Sequence, residues 1–445
     1  MEDGYVPPRG VDVSTAANAA NTAVSNPATN AGSGAPPKAI SFRELLKLKA
    51  FRRLWLAQLV SIFGDFLAIF GVISLISFRL HGTPLQVTGI MIAYMAPLTV
   101  VGTVAGVFVD RWNIKRVMIS SDLLRAVLVL LLVFVTRLDY LYAIFFGVSC
   151  VSSFFGPAQS VTLRTVVPVE GLLGANALMS QAFYSARIAA PAVAGGLVAL
   201  LGEKSCFYLD SASFLFSAAM LSTLVILRPA SAHPNATSTG AQPAEASVNS
   251  WTHQFTAGVR FIFTHEALSF VMISMAAAMF VLSCFSPLIS VYVRDFLAAG
   301  SLLFGVVSSL VGVGLIVGTQ MVHFLARSRP HSHASVAGLF GLGVAVALLG
   351  LTGRIPLTGL STFGMGFAIA FVVVPAQTLM QRETPPAMLG RVSSAFLSLL
   401  SLAQVLGLIL SGYLAQSLGI RNLFKASAVL LLVLAVFGYF RVREA

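Results

Sequence analysis

Apolar runs of about 20 residues recur along this chain, separated by short polar breaks, and no sustained alternation of period two appears. A run of that length crosses a hydrocarbon core of ~30 Å as a helix rising 1.5 Å per residue. Lipid offers no hydrogen-bond partner to backbone N–H and C=O groups. A helix satisfies both internally, whereas a β-barrel needs the alternation that is missing here. Twelve segments are predicted, at roughly 54–78, 86–108, 117–136, 139–160, 173–201, 206–227, 267–291, 301–326, 334–351, 355–379, 392–416 and 423–440.

The polar stretches divide the chain in two. Residues 1–40, rich in Ala, Asn, Thr, Ser, Gly and Pro, lack an apolar core and predict a disordered tail. Residues 41–53 (SFRELLKLKAFRR) predict a basic amphipathic helix lying on the headgroups. Residues 228–250 have no apolar periodicity and read as a flexible cytosolic linker, and 251–265 as a second interfacial helix. These breaks leave two six-helix bundles, 54–227 and 266–441. A weak internal repeat supports a duplication. PAQSVTLRTVVP at 157–168 and PAQTLMQRETPP at 375–386 agree at five of twelve positions, and each follows the fourth segment of its half.

Composition sharpens the class. Of 445 residues, 57% are hydrophobic and only 10% charged, against about 25% charged in an ordinary soluble protein. The net charge of +12 is not a nucleic-acid patch, because the basic residues are scattered over helix ends. With both termini in the cytosol, 19 Lys and Arg fall in the tails and cytosolic loops, seven on the other side, and two, Arg125 and Arg187, within segments. That asymmetry fits the positive-inside rule and a multi-pass protein of the bacterial inner membrane. Cys150, Cys206 and Cys284 lie apart in apolar segments without metal-ligand spacing, so no metal or cofactor is implied.

Charges inside the membrane cost ~2.5–3.5 kcal/mol each on insertion scales and therefore mark function or a specific pairing. Asp65 lies about eleven residues into the first segment, ~16 Å deep. Gln58 and Ser61 share its polar stripe. A desolvated carboxyl there is a candidate for binding a proton or contacting a cation, or it is a hydrogen-bonded packing residue. Arg187, at similar depth in the fifth segment, is a cavity candidate that either pairs with Asp65 or holds an anionic substrate. Asp122 and Arg125, three residues apart in the third segment, predict a structural pair. Asp210, in the sixth, reads as structural. Met272, Met275, Met279, Phe280 and Phe285 crowd the seventh segment and suit either an adaptable apolar pocket or lipid contact.

The loop between segments two and three, GVFVDRWNIKRV, carries Gly106, Asp110, Arg111, Lys115 and Arg116. It resembles motif A of the major facilitator superfamily, with Asn113 and Ile114 replacing the usual Gly and Arg. In the fifth segment, Pro191, Gly195 and Gly196 resemble the Gly-Pro-x-x-x-Gly packing element of the superfamily's antiporters, with Ala190 in place of its first glycine. SIFGDF at 61–66, SDLLRA at 121–126, ANAL at 175–178, LDSASF at 209–214 and GRVSS at 390–394 narrow the likeness to the subgroup of macrolide efflux proteins and the enterobactin exporter.

The resemblance implies an all-α major facilitator fold, a conformational latch in the motif A loop, and a first helix that lines the central cavity, with Gln58 and Ser61 as cavity candidates and Asp65 as the candidate coupling-proton site. It further implies a monomeric secondary transporter that exports amphipathic small molecules (drugs, macrolides or siderophores) in exchange for protons by alternating access. A lysophospholipid flippase or importer on the same fold competes with it. An intramembrane enzyme competes less well: its best cue, Thr264-His265-Glu266-Ala267-Leu268-Ser269, has Ser269 where a zinc protease helix needs its second His. A sensor that transports nothing is weaker still, since the intramembrane charges are retained.

Overall fold

The computed structural model describes residues 40–224, 256, 259–325, 331–385 and 388–444. The linker and, apart from residue 40, the tail lie outside the described residues. A short helix, α1 (Phe42–Lys47), precedes twelve long ones: α2 (Lys49–Ser74), α3 (Pro84–Arg111), α4 (Ile114–Leu131), α5 (Leu138–Val166), α6 (Leu172–Leu201), α7 (Lys204–Ser222), α8 (Glu266–Asp295), α9 (Ser301–Leu325), α10 (His331–Leu351), α11 (Ile355–Glu383), α12 (Leu389–Leu418) and α13 (Ile420–Glu444). Ten of the twelve are long and apolar enough to cross a membrane. The two that fall short are α4, with Asp122 and Arg125, and α7, with Asp210. They are polar because they carry the buried charges described below.

Local sequence sets the helix starts. Ser41 opens α1 with a reciprocal capping box to Glu44, and Thr83 opens α3 with one to Gln86, followed by Pro84 in the first turn. Asn113 caps α4 by accepting from the Arg116 N–H at 3.2 Å. Leu48 then breaks the chain between α1 and α2. The amphipathic lead-in docks on protein: Leu45 is fully buried against Gly171 and Gly174 at the start of α6.

Each half packs its own helices. In the first, α2 lies against α6 and α7, α4 against α5 and α7, and α3 against α5. In the second, α9 and α10 both pack on α11, and α10 also on α13. Gly314 and Gly366 let α9 and α11 meet backbone to backbone, since a methyl group at either would collide with the Phe363 or Val311 carbonyl oxygen. Pro157 in α5 and Pro375 in α11 occupy matching places in the fourth helix of each half.

The halves touch through α6 with α9, α3 with α12 and α3 with α8. The closest of these contacts gather at the end of the bundle away from the termini, here called the distal end. One large apolar core draws residues from both halves: it runs the length of the second half and takes its first-half members, such as Leu75, Ile76 and Val87, from toward the distal end, while a second core, around Leu45, Phe51 and Leu163, is built from the first half alone. The contacts between the halves named by residue, Gly195 with Gly305, Thr88 with Gly412 and Ser77 with Ser290, thus join them distally.

Candidate functional site

Three carboxyls and one guanidinium meet inside the first half. Arg125 on α4 hydrogen-bonds Asp122 one turn before it, and its Nη1 lies 4.0 Å from Asp65 Oδ2 on α2. The guanidinium is sandwiched between the rings of Phe155 on α5 and Phe214 on α7, 4.6 and 4.3 Å from their centroids. Asp210 on α7 closes the group. Its carboxylate accepts from the Ser213 hydroxyl at 3.2 Å and presses on Gly64, where a Cβ would come within 2.5 Å of Oδ1. Gly64 is thus the residue that lets α7 bring a carboxyl up to the α2 backbone, one position from Asp65.

Exposure ranks the carboxyls. The side chains of Asp122 and Arg125 are 0% and 5% exposed, and Asp210 is 1% exposed. Asp65 stands at the rim at 22%. Of the three acids around this one cation, Asp65 is the most exposed. Tyr94 on α3 belongs to the same electrostatic neighbourhood, and its carbonyl accepts from Ser149. The partners of Asp122 and Arg125 reach beyond the pair predicted from their spacing, and Asp210, read from sequence as a separate structural residue, belongs to the same group. The signal for this was weak: LDSASF gives only an acid beside small residues.

Breaking this group has a computable cost. Arg125→Met leaves buried carboxyls without their cation, and removing one partner of a buried pair destabilises by about 3–5 kcal/mol. We expect a much lower melting temperature in detergent, read by tryptophan fluorescence, with partial recovery in Asp122→Asn/Arg125→Met.

The other candidates are distributed as follows. Gln58 and Ser61, the cavity candidates, are both buried in this structure. Arg187 is not Asp65's partner, since Arg125 holds that place; it is an exposed residue near the middle of α6. Met272, Met275 and Phe285 lie in the core and Met279 and Phe280 are partly buried against it, so the methionine and aromatic cluster serves packing. Gly106 and Asp110 sit within α3, but their side chains lie outside the described residues. Arg111 and Arg116 are exposed. Lys115 donates to the carbonyls of Ser222 and Leu224 at 2.6 and 2.7 Å, and Arg53 donates to that of Thr223 at 2.9 Å. Two cations thus cap the C-terminus of α7, where unpaired carbonyls and the helix dipole favour positive charge. Trp112 stacks on Phe154 at 6.0 Å and fixes the loop against α5.

At the distal end the halves are clasped. Gly195 on α6 faces Gly305 on α9 so closely that a Cβ at Gly195 would lie 2.9 Å from the Gly305 Cα. Pro191 presents its carbonyl to the same glycine, and Gly196 has open space beside it. Phe70 on α2 stacks on Phe304 at 4.1 Å. A π-helical turn, Leu75–Arg79, ends α2 and leaves the Ser77 carbonyl free to accept from Arg294 on α8 at 2.6 Å; Arg294 also reaches the Gly82 carbonyl at 3.0 Å. The Ser77 and Ser290 hydroxyls bond to each other at 2.7 Å. Cysteines at both serines should form a disulfide under mild oxidation that stops transport reversibly. Failure to cross-link during turnover would mean the sealed distal end is not visited.

The sequence matches the profile of the Major Facilitator Superfamily over residues 54–406, with a second match over 336–445. The chain belongs to the major facilitator superfamily. It is a multi-pass membrane transporter and not an enzyme. The uncharacterised MFS-type transporter YfiS of Bacillus subtilis is 29% identical over 394 residues, 87% of this chain and 92% of that one. The multidrug efflux pump Tap of Mycolicibacterium fortuitum is 26% identical over 384 residues, covering 82% and 89%. Macrolide efflux protein A of Streptococcus pyogenes is 23% identical over 404 residues, covering 88% and 95%. Among solved structures, the nucleoside transporter NupG superposes with a TM-score of 0.66 at 14% identity over 89% of this chain and 99% of that one. A bacterial homologue of the lysosomal transporter Spinster, in an inward-facing and unoccupied conformation, gives 0.65 at 12% identity over 92% and 98%. These likenesses establish the fold, and the superfamily membership establishes secondary transport.

Proposed function

We propose that this superfamily member exports amphipathic small organic molecules, of the drug, macrolide or siderophore kind, in exchange for protons. The observation that carries the reading is the rim position of Asp65 on the closed acid–arginine group. A carboxyl that touches both the cavity and a fixed buried cation can take up a proton, loosen its hold on Arg125 and give the proton back when the halves exchange contacts. The efflux activities named for the multidrug and macrolide relatives support export as the direction. All mid-membrane charges belong to the first half, so in this reading the polar part of an amphiphile is met there.

In this reading both termini, the motif A loop and the linker face the cytosol, the distal seal faces outward, and a single chain does the work. Protease added to intact right-side-out cells should then leave residues 228–250 uncut; efficient cleavage there reverses the orientation. The function itself is tested by accumulation of macrolides, amphipathic dyes and siderophores in cells with and without the chain. Expression should lower accumulation of at least one, and a protonophore should restore it. Equal accumulation across the panel contradicts export of this class.

A further inference from the structure

On α6, Asn176, Ser180, Tyr184 and Arg187 follow at i, i+4, i+8 and i+11, which places them on one face of the helix. All four are exposed. The helix buries a different row, Ala182, Ala186, Ala190 and Ala194, within its own half, and meets α9 through Ile188, Pro191 and Gly195. The polar row lies on the arc between those two packed faces. The arc on the other side exposes Ala189, Ala192 and Val193 together with the uncharged polar residues Gln181 and Ser185. Arg187 is the one charged residue of this helix and lies near its middle, where lipid does not accommodate a guanidinium, so the arc that carries it is assigned to the space between the halves. Arg187 sits there next to Ile188, whose side chain would clash with a Cβ on Gly312 of the second half.

Among the described residues Arg187 has no ion pair and no side-chain hydrogen bond. Asp65, the nearest acid predicted for it, is turned toward Arg125. Pro191 lacks an N–H, so the Arg187 carbonyl has no helical donor four residues on, and the local backbone is open as well. A guanidinium carries a planar array of donors matched to carboxylate and phosphate oxygens, and holding one unpaired at this depth is costly. Beside it, Phe183 meets Phe66 of α2 edge-on at 5.5 Å and Tyr184 at 5.7 Å, giving an aromatic surface next to the charge.

We propose that Arg187 is the anion-binding element of the substrate site, taking the carboxylate of an amphiphile whose aromatic or apolar body lies along Phe183 and Phe66. This rests on the transporter reading and adds to it a substrate class: organic acids and zwitterions over neutral analogues. The test is equilibrium binding to the purified full-length protein, which needs neither a gradient nor proton coupling, so its outcome is separate from that of the export assay. Dansyl-glycine and its neutral amide, dansyl-glycinamide, serve as probes. Wild type should bind the acid more tightly than the amide. Arg187→Gln should weaken the acid by about tenfold or more, the size of a charge-assisted hydrogen bond, and leave the amide unchanged. Arg187→Lys should recover part of the loss. Lack of preference for the acid in wild type, whether both probes bind or neither does, overturns the assignment. So does an Arg187→Gln protein, folded by its melting temperature, that keeps the preference.

Discussion

Asp65→Asn is expected to insert and fold normally, bind substrate, and fail to pump it uphill. Folding survives because the buried partner of Arg125 is Asp122, which hydrogen-bonds the guanidinium directly, while Asp65 stands 4.0 Å away at the rim. Asparagine keeps the size and hydrogen-bonding capacity of aspartate and removes its titration. Efflux against a gradient should fall to near background and lose its pH dependence. Counterflow, which exchanges substrate without net proton movement, should persist. Asp65→Glu should retain part of the activity, since the longer carboxyl still reaches the rim. Asp210→Asn separates the two acids: a carboxyl that is 1% exposed exchanges protons only through its neighbours, so its loss should alter the pH profile of pumping without matching the loss at Asp65. Wild-type pumping and pH dependence in Asp65→Asn would return Asp65 to a packing role.

Gly305→Val is the second large effect, and it acts on the seal. A Cβ at Gly305 would sit 2.5 Å from the Pro191 carbonyl oxygen and 2.9 Å from the Gly195 Cα, both across the boundary between the halves. Neither contact can yield by a side-chain rotation, because both partners are backbone. The clash lies between the halves, so each bundle should still fold. The contrast is Gly366→Val, which collides with the Val311 carbonyl inside the second half and should unfold it. Gly305→Val should therefore be expressed and stable, yet hold the distal end apart. Transport should drop to near background, and cysteines at Ser77 and Ser290 should no longer cross-link. Transport at the wild-type rate would mean the halves do not close along this seam.

Helix number and spacing were legible in the sequence because burial in lipid demands long unbroken apolar runs. The two least apolar helices, α4 and α7, were still counted, since their charges interrupt a pattern set by their neighbours. The internal repeat around Pro157 and Pro375 likewise pointed to matching helices. The site was legible in part. Depth along a helix singled out Asp65 and Arg187, and spacing of three paired Asp122 with Arg125. Depth says nothing about rotation, however. Gln58 and Ser61 share the stripe of Asp65 and are buried, because the face of α2 that holds them is covered by neighbouring helices. The same gap hid the joining of Asp65 and Asp210 to the Asp122–Arg125 pair. That group depends on three helices far apart in sequence and on a glycine, Gly64, whose role is to be absent as a side chain. Motif A named Lys115 as a latch residue, while its partners, the last carbonyls of α7, are backbone atoms that no side-chain pattern encodes.

The central claim, that substrate leaves in exchange for protons through Asp65, is tested most directly by substrate-driven proton movement in proteoliposomes with an entrapped pH dye. In wild-type vesicles without an imposed pH gradient, a gradient of the exported amphiphile should move protons in the opposite direction and change the internal pH, and a protonophore should abolish the change. Asp65→Asn vesicles should show substrate exchange with no pH change. Substrate moving in wild-type vesicles with no proton movement, or Asp65→Asn vesicles moving protons as wild type does, would contradict the account.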